Sequence, residues 1–287
     1  MAASENRLDQ QNPGDAPVGD STSGAVPLGY LSLKDGVWEE APSGEVIEEV
    51  EFCLYVNGHE LATIAATPVQ LDALALGFLA NEGLIESIDE VKEIALRGQG
   101  YCMDIWLNHS FQMPERIIRT SGCTGGVTFD QLVKKNTPLE SDVRLATGDV
   151  AEAVRQLYQE GQLYQRTRGV HTSLLWKDDR VLASAEDVGR HNTLDKLRGL
   201  CLLGGLESSG SLLVSTGRIS SEMLGKGRRM NCPVIASRTS ATSLSVELAR
   251  AWNVTLVGYV RSQPGPTGSR MLVYSHPQRL TISGGSA

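Results

Sequence analysis

The chain has 287 residues, 41% hydrophobic and 21% charged, and a net charge of −8 from 26 basic and 34 acidic residues. This is the composition of a soluble globular protein of one large or two ordinary domains, and without a basic block of five or more it excludes a duplex-binding surface. Five scattered cysteines with no C-x-x-C exclude a disulfide framework and structural zinc, and no run is long enough to span a membrane.

Residues 1–28 are polar and aperiodic and read as a disordered leader without an apolar signal core, so the cytoplasm is the expected location. Residues 29–44 read as an extended lead-in. Val50 to Val56 is strand-like, and Asn57-Gly58 predicts a tight hairpin into Glu60 to Ala66. Thr67-Pro68-Val69-Gln70 reads as a capping box with proline at the first helical position. Leu71, Leu74, Ala75, Phe78 and Leu79 then share one helix face, and Gly83 closes the helix. Ile88 to Leu107 suggests more sheet, turning at Gly98 to Gly100. Asp149 to Leu163 has helical spacing and links two halves, 29–148 and 149–287.

The second half opens with a hairpin, Val170 to Trp176 and Val181 to Ser184 around Lys177-Asp178-Asp179. Strands at Ser211 to Ser215, Pro233 to Ala236 and Val254 to Val260 alternate with helices through Met223 and Leu224 and through Leu244 and Leu248. That order implies parallel strand–helix–strand units with right-handed crossovers. The expected fold class is α/β with a mixed sheet and a smaller N-terminal α+β part. Arg270 to Ser275 is a last strand.

Four stretches carry chemistry. Arg119-Thr120-Ser121-Gly122-Cys123-Thr124-Gly125-Gly126 sets a cysteine among glycines and hydroxyls, with Arg116 and Arg119 nearby to favour the thiolate. Read alone, it is equally a glycine turn with a small residue. Glu186-Asp187-Val188-Gly189-Arg190-His191-Asn192 concentrates hydrogen-bonding groups where a strand gives way to a helix. The turns Thr216 to Ser221 and Ser237 to Ser243 are rich in hydroxyls and carry Arg218 and Arg238. Helix N-termini beyond strand ends make a phosphate pocket with such arginines, whereas capping explains only one hydroxyl per helix.

Together these residues resemble the formate dehydrogenase accessory sulfurtransferases, the FdhD/NarQ sulfur carriers. The resemblance runs from about residue 45 to 280. It rests on Ala66-Thr67-Pro68 through Gly83-Leu84-Ile85, Ser121-Gly122-Cys123, Gly169-Val170-His171 and above all the heptad from Glu186 to Asn192. Leu213-Val214-Ser215, Gly217-Arg218, Thr242-Ser243-Leu244 and Val273-Tyr274 continue it. It implies a fold related to cytidine deaminases, in a homodimer. It also implies that Cys123 takes persulfide sulfur from a cysteine desulfurase and passes it to molybdenum cofactor (bis-molybdopterin guanine dinucleotide) for a formate dehydrogenase.

The segment Arg270, Met271, Leu272, Val273, Tyr274 and Ser275 matches the one assigned to that cofactor. Arg218 and Arg238 would then hold phosphates, and His191 and Asp187 would orient the ligand or shuttle protons. An ordinary structural role for His191 stays open. Many relatives have Cys-x-x-Cys in the loop; here Gly126 stands at the second position, which predicts a one-thiol carrier. Cys53, Cys102, Cys201 and Cys232 read as small apolar fillers. The rival functions are a non-catalytic cofactor-binding chaperone and a zinc-dependent nucleotide deaminase; the latter lacks its His-x-Glu and Cys-x-x-Cys ligands.

Overall fold

The computed structural model describes residues 23–97, 101–110, 137–262 and 269–282. Cys123 and the turn at Gly98 to Gly100 lie outside them. The first elements are β1 (Ala25–Lys34) and β2 (Val37–Ile47), an antiparallel hairpin turning at Asp35 and Gly36, both left-handed. The expected lead-in is thus paired strand. It begins inside the span read as a leader.

Next come β3 (Val50–Val56), β4 (His59–Ala66), β5 (Val91–Leu96) and β6 (Cys102–Leu107), which form a sheet in the order β4-β3-β6-β5. Asn57 and Gly58 take the left-handed conformations that a two-residue hairpin requires. Between β4 and β5 lies α1 (Leu71–Glu82), closed by Gly83 at φ 74°. Its residues 73–81 are buried all round, not only on the predicted face. One side meets the sheet through Leu76, Phe78 and Leu79, and the other meets a second helix. The capping-box reading fails. Gln70 is the cap residue at φ 54° and makes no side-chain cap bond, because the Thr67 hydroxyl accepts instead from the Val188 N–H at 3.1 Å.

The second half contributes β7 (Leu145–Ala146), α2 (Thr147–Glu160), α3 (Gln162–Thr167), β8 (His171–Lys177) and β9 (Arg180–Asp187). It continues with α4 (Arg190–Gly204), β10 (Leu212–Ser215), α5 (Ser221–Arg229), β11 (Val234–Ser237) and α6 (Ser243–Ala251). It ends with β12 (Thr255–Ser262), β13 (Ser269–Ser275) and β14 (Leu280–Thr281), the last pairing with β7. The six-stranded sheet has the order β13-β12-β11-β10-β8-β9, with β10, β11 and β12 parallel as the strand–helix alternation predicts. Leu175, Leu213, Ile235 and Leu256 face α4, α5 and α6; Leu174, Val214, Ala236 and Val257 face α2. The architecture is mixed α/β.

The helix that α1 meets is α4, and they cross at glycines. A β-carbon at Gly77 would lie 1.7 Å from the Asp195 carbonyl oxygen, and one at Gly199 would lie 1.9 Å from that of Ala73. Glycine inside a helix costs about 0.5–1 kcal/mol against alanine. Here it lets the two backbones touch. Among the described residues no helix is long and apolar enough to cross a membrane.

Candidate functional site

Most of the charged heptad serves this junction. The Asp187 carboxylate is fully buried and accepts from the N–H groups of Thr67 (3.1 Å) and Gly189 (2.7 Å) and from Asn192 Nδ2 (2.7 Å). It also pairs with Lys196 Nζ at 2.6 Å, an ammonium that donates in turn to the carbonyls of Thr67 and Glu186. Asn192 Nδ2 reaches the Ala65 carbonyl at 2.8 Å. Glu186 accepts from the N–H groups of Leu163 and Tyr164, both at 2.8 Å. The expectation that Asp187 orients a ligand is therefore corrected: its oxygens are taken, and it binds the two sheets together.

Asp195 repeats the device one residue before Lys196. It pairs with Lys226 of α5 at 2.6 Å and accepts from Asn81 Nδ2 of α1 at 2.8 Å. Charges buried this deeply persist only when paired and hydrogen-bonded.

What remains of the heptad, Arg190 and His191, opens onto one edge of the six-stranded sheet. There β9, β10, β11 and β12 end and β8 begins. Backbone bonds weld the turns: Thr216 N–H to Thr172 O, Arg238 N–H to Ser215 O, and Ile219 N–H to Ser240 O, at 2.9–3.0 Å. Ser237 Oγ donates to Gly217 O at 2.7 Å. Ser220 and Thr242 cap α5 and α6, which accounts for one hydroxyl per helix.

Gly217 lies at the centre. A β-carbon there would meet Arg190 Cβ at 3.1 Å and His171 Nδ1 at 3.4 Å, so Arg190 and His171 both pack against a bare backbone. His171 Nδ1 contacts Thr216 Oγ1 at 3.4 Å, and His191 Nε2 contacts Ser220 Oγ at 3.2 Å and Glu222 Oε2 at 3.4 Å. Burial, with Arg190, Lys226 and His171 adding repulsion, pushes the His191 imidazole down to about 3. Burial pushes the Glu222 carboxyl up. Glu222 therefore stands beside a neutral ring, and the contact is not an ion pair. Positive charge at this edge comes from arginine.

Arg218 is exposed at the rim. Arg190 keeps its Nε buried beside Gly217, with no hydrogen-bond partner among the described residues. Among so many polar neighbours the sequence does not single out Arg190, which the structure places at the first residue of α4. Arg238 does not join this group. Its guanidinium lies 5.7 Å from the Tyr158 ring of α2, toward the opposite sheet face. The segment Arg270 to Ser275 reaches the site at one end only. Arg270 pairs with Arg261 at this edge, whereas Ser275 pairs with Leu256 at the other, five residues or roughly 17 Å along the strand. Ser275 is buried there, donating to Val254 O and accepting from Leu256 N–H, so its expected ligand contact is also corrected.

Among the described residues no cluster of three or more His, Cys, Asp or Glu could hold a metal ion. A 540 Å³ cleft near Gln70, Gln162 and Ser184 has charged walls that are already paired: Arg166 with Glu45, and Glu160 with Ser184.

Residues 47–281 match the FdhD/NarQ family. The chain belongs to the FdhD/NarQ family. Its FdhD/NarQ relatives include two proteins named sulfur carrier protein FdhD. That of Shouchella clausii is 33% identical over 246 residues, covering 83% of this chain and 90% of the relative. That of Bacillus subtilis is 32% identical over 241 residues, with 82% and 90% covered. A crystal structure of a protein described as a formate dehydrogenase accessory protein, from Desulfotalea psychrophila, superposes with a TM-score of 0.72. It is 28% identical and covers 90% of this chain and 99% of its own. The FdhD/NarQ match begins at residue 47, so it leaves out β1 and nearly all of β2.

The neutral His191 has a measurable consequence. Between pH 6.5, its ordinary value, and about 3 the unfolded chain binds a proton there that the folded protein refuses. Its contribution to stability is complete above pH 6.5 and is lost as pH falls through that interval. His171, also pushed down by burial, acts in the same sense. Urea unfolding from pH 7 to pH 4 is expected to show a smaller decline for His191→Gln than for wild type. Parallel curves would show that His191 titrates normally.

Proposed function

We propose that this chain is a cytoplasmic sulfur carrier of formate dehydrogenase maturation. It takes persulfide sulfur from a cysteine desulfurase onto Cys123 and delivers it to the guanine dinucleotide form of molybdenum cofactor. The observation that carries the reading is the match to relatives named sulfur carriers, which spans 90% of their length. In the loading step the Cys123 thiolate attacks the donor's terminal sulfur. The donor S–S bond breaks, the desulfurase cysteine leaves as a thiolate, and Cys123 holds the new persulfide. The cofactor is the acceptor substrate. The test is intact-mass analysis after incubation with desulfurase and cysteine: a gain of about 32 Da in wild type and none in Cys123→Ala.

The edge around Gly217 suits the phosphates of such an acceptor. Arg190 has a buried Nε without a partner among the described residues, Arg218 stands at the rim, and the N-terminus of α5 adds its partial positive charge. His171, His191 and Ser220 would orient the ligand by hydrogen bonds, and Arg270 would line the approach. Charge-assisted contacts to phosphate contribute roughly 1.5–3 kcal/mol each. Calorimetry is expected to show guanosine diphosphate binding that weakens about tenfold or more in Arg190→Ala or Arg218→Ala. Binding indifferent to both changes would place the ligand elsewhere.

A homodimer is part of the proposal. Its support is the β1–β2 hairpin, where Leu28, Tyr30, Leu31, Leu33, Val37 and Trp38 are all exposed. A two-stranded hairpin gains little stability alone, and a patch of this kind marks a contact surface. The two sheets support a division near residue 148, and a sheet covered on both faces is consistent with kinship to cytidine deaminases. A carrier and a cofactor-holding chaperone differ in one respect: only the carrier acquires sulfur on Cys123.

A further inference from the structure

We propose that Cys53 and Cys102 form a redox-active dithiol that closes to an intramolecular disulfide under an oxidant of the peroxide class. The inference is independent of the sulfur-carrier reading. The sequence presents these two as separate apolar fillers, far apart along the chain. The fold opposes them directly. β3 and β6 are parallel neighbours, and Cys53 is the register partner of Cys102.

Neighbouring strands lie about 4.7–4.9 Å apart, so the two α-carbons fall within the roughly 4.4–6.8 Å that a disulfide spans. Register partners also send their side chains to the same face. Phe52, Leu54 and Met103 point into the core against α1, which puts both cysteines on the opposite, solvent side of the sheet. Both are half-buried free thiols.

The sulfurs already interact. A hydrogen bond with Cys102, then burial, pushes the Cys53 thiol up to about 11. Either thiol, Cys102 for one, can attack first, and the product is the same. The other described pair serves as contrast: Cys201 and Cys232 are 2% and 0% exposed in the C-terminal core, and burial pushes both thiols up.

The reaction balances with one peroxide. The Cys102 sulfur attacks a peroxide oxygen, the O–O bond breaks, and one water leaves once the departing oxygen is protonated. Cys102 is then a sulfenic acid. Cys53 attacks that sulfur, the S–S bond forms, the S–O bond breaks, and a second water leaves. Two thiols have lost two hydrogens and two electrons to the peroxide. A small dithiol reverses the step. The disulfide would join β3 to β6, the strand from whose end at Leu107 the chain continues toward Cys123.

The experiment treats native full-length Cys123→Ser protein with stoichiometric hydrogen peroxide and follows intact mass. The expected result is a loss of about 2 Da, reversed by dithiothreitol, with a non-reduced peptide linking Cys53 to Cys102. Cys53→Ala and Cys102→Ala should each abolish the loss. Should either variant fail to fold, the linked peptide from oxidised wild type decides alone. Mass gains of about 16 or 32 Da on unlinked thiols, or a link from either residue to another cysteine, would overturn the proposal.

Discussion

Replacing Lys196 with methionine is expected to lower the unfolding free energy by about 3–5 kcal/mol, a large part of the roughly 5–15 kcal/mol typical of folded domains. Lys196 and Asp187 have no exposed side-chain surface, and their charged atoms lie 2.6 Å apart. Methionine fills similar volume, so the loss comes from chemistry and not from a cavity. It leaves a buried carboxylate without its counter-charge and takes a donor from the Thr67 and Glu186 carbonyls. Burial alone pushes the Lys196 ammonium down, with Asp187 opposing, so the pair survives by mutual compensation. Adding Asp187→Asn to Lys196→Met removes the stranded charge and should restore part of the stability, a coupling that separates electrostatics from packing. The measurement is the urea midpoint of the wild type and the two variants. A single-variant loss under about 1 kcal/mol would mean that water reaches the pair.

That pair also marks where the sequence stops being readable. Local signals translated well. Asn57-Gly58 made its hairpin, Gly83 closed α1, and the alternation after Ser211 became parallel strands and helices. Asp35-Gly36 carries the same kind of signal for β1–β2. What could not be read was long-range partnership. The heptad's polarity looked like a ligand site because its receptor, the Thr67 backbone, lies 120 residues away. The periodicity of α1 marks one apolar face, yet Gly77 and Gly199 bring a second helix against the other. Arg238 and Arg218 looked equivalent because each follows a strand. Only the fold shows one turned toward Tyr158 and the other at the rim. The facing of Cys53 and Cys102 likewise depends on a register between strands with two other strands and a helix between them in the chain.

Replacing Cys123 with serine is expected to abolish sulfur loading and formate dehydrogenase maturation while leaving the fold as it is. Sulfur transfer needs a thiolate as nucleophile and a sulfur that can hold and release another. A serine hydroxyl stays protonated at neutral pH and forms no persulfide, so the loss should be complete and not graded. The stability change should be under about 0.5 kcal/mol, since Cys123 lies among glycines and hydroxyls in the sequence, which supply no apolar core partners. The variant keeps Arg190, Arg218 and Gly217, so guanosine diphosphate should bind it as it binds wild type. Retained binding with lost loading is what distinguishes a carrier from a cofactor-holding chaperone. Intact mass after desulfurase treatment, calorimetry with the nucleotide, and formate dehydrogenase activity in a strain complemented with the variant read the three quantities separately. Normal maturation by the serine variant would remove Cys123 from the mechanism. Unfolding of the variant would make it a structural residue.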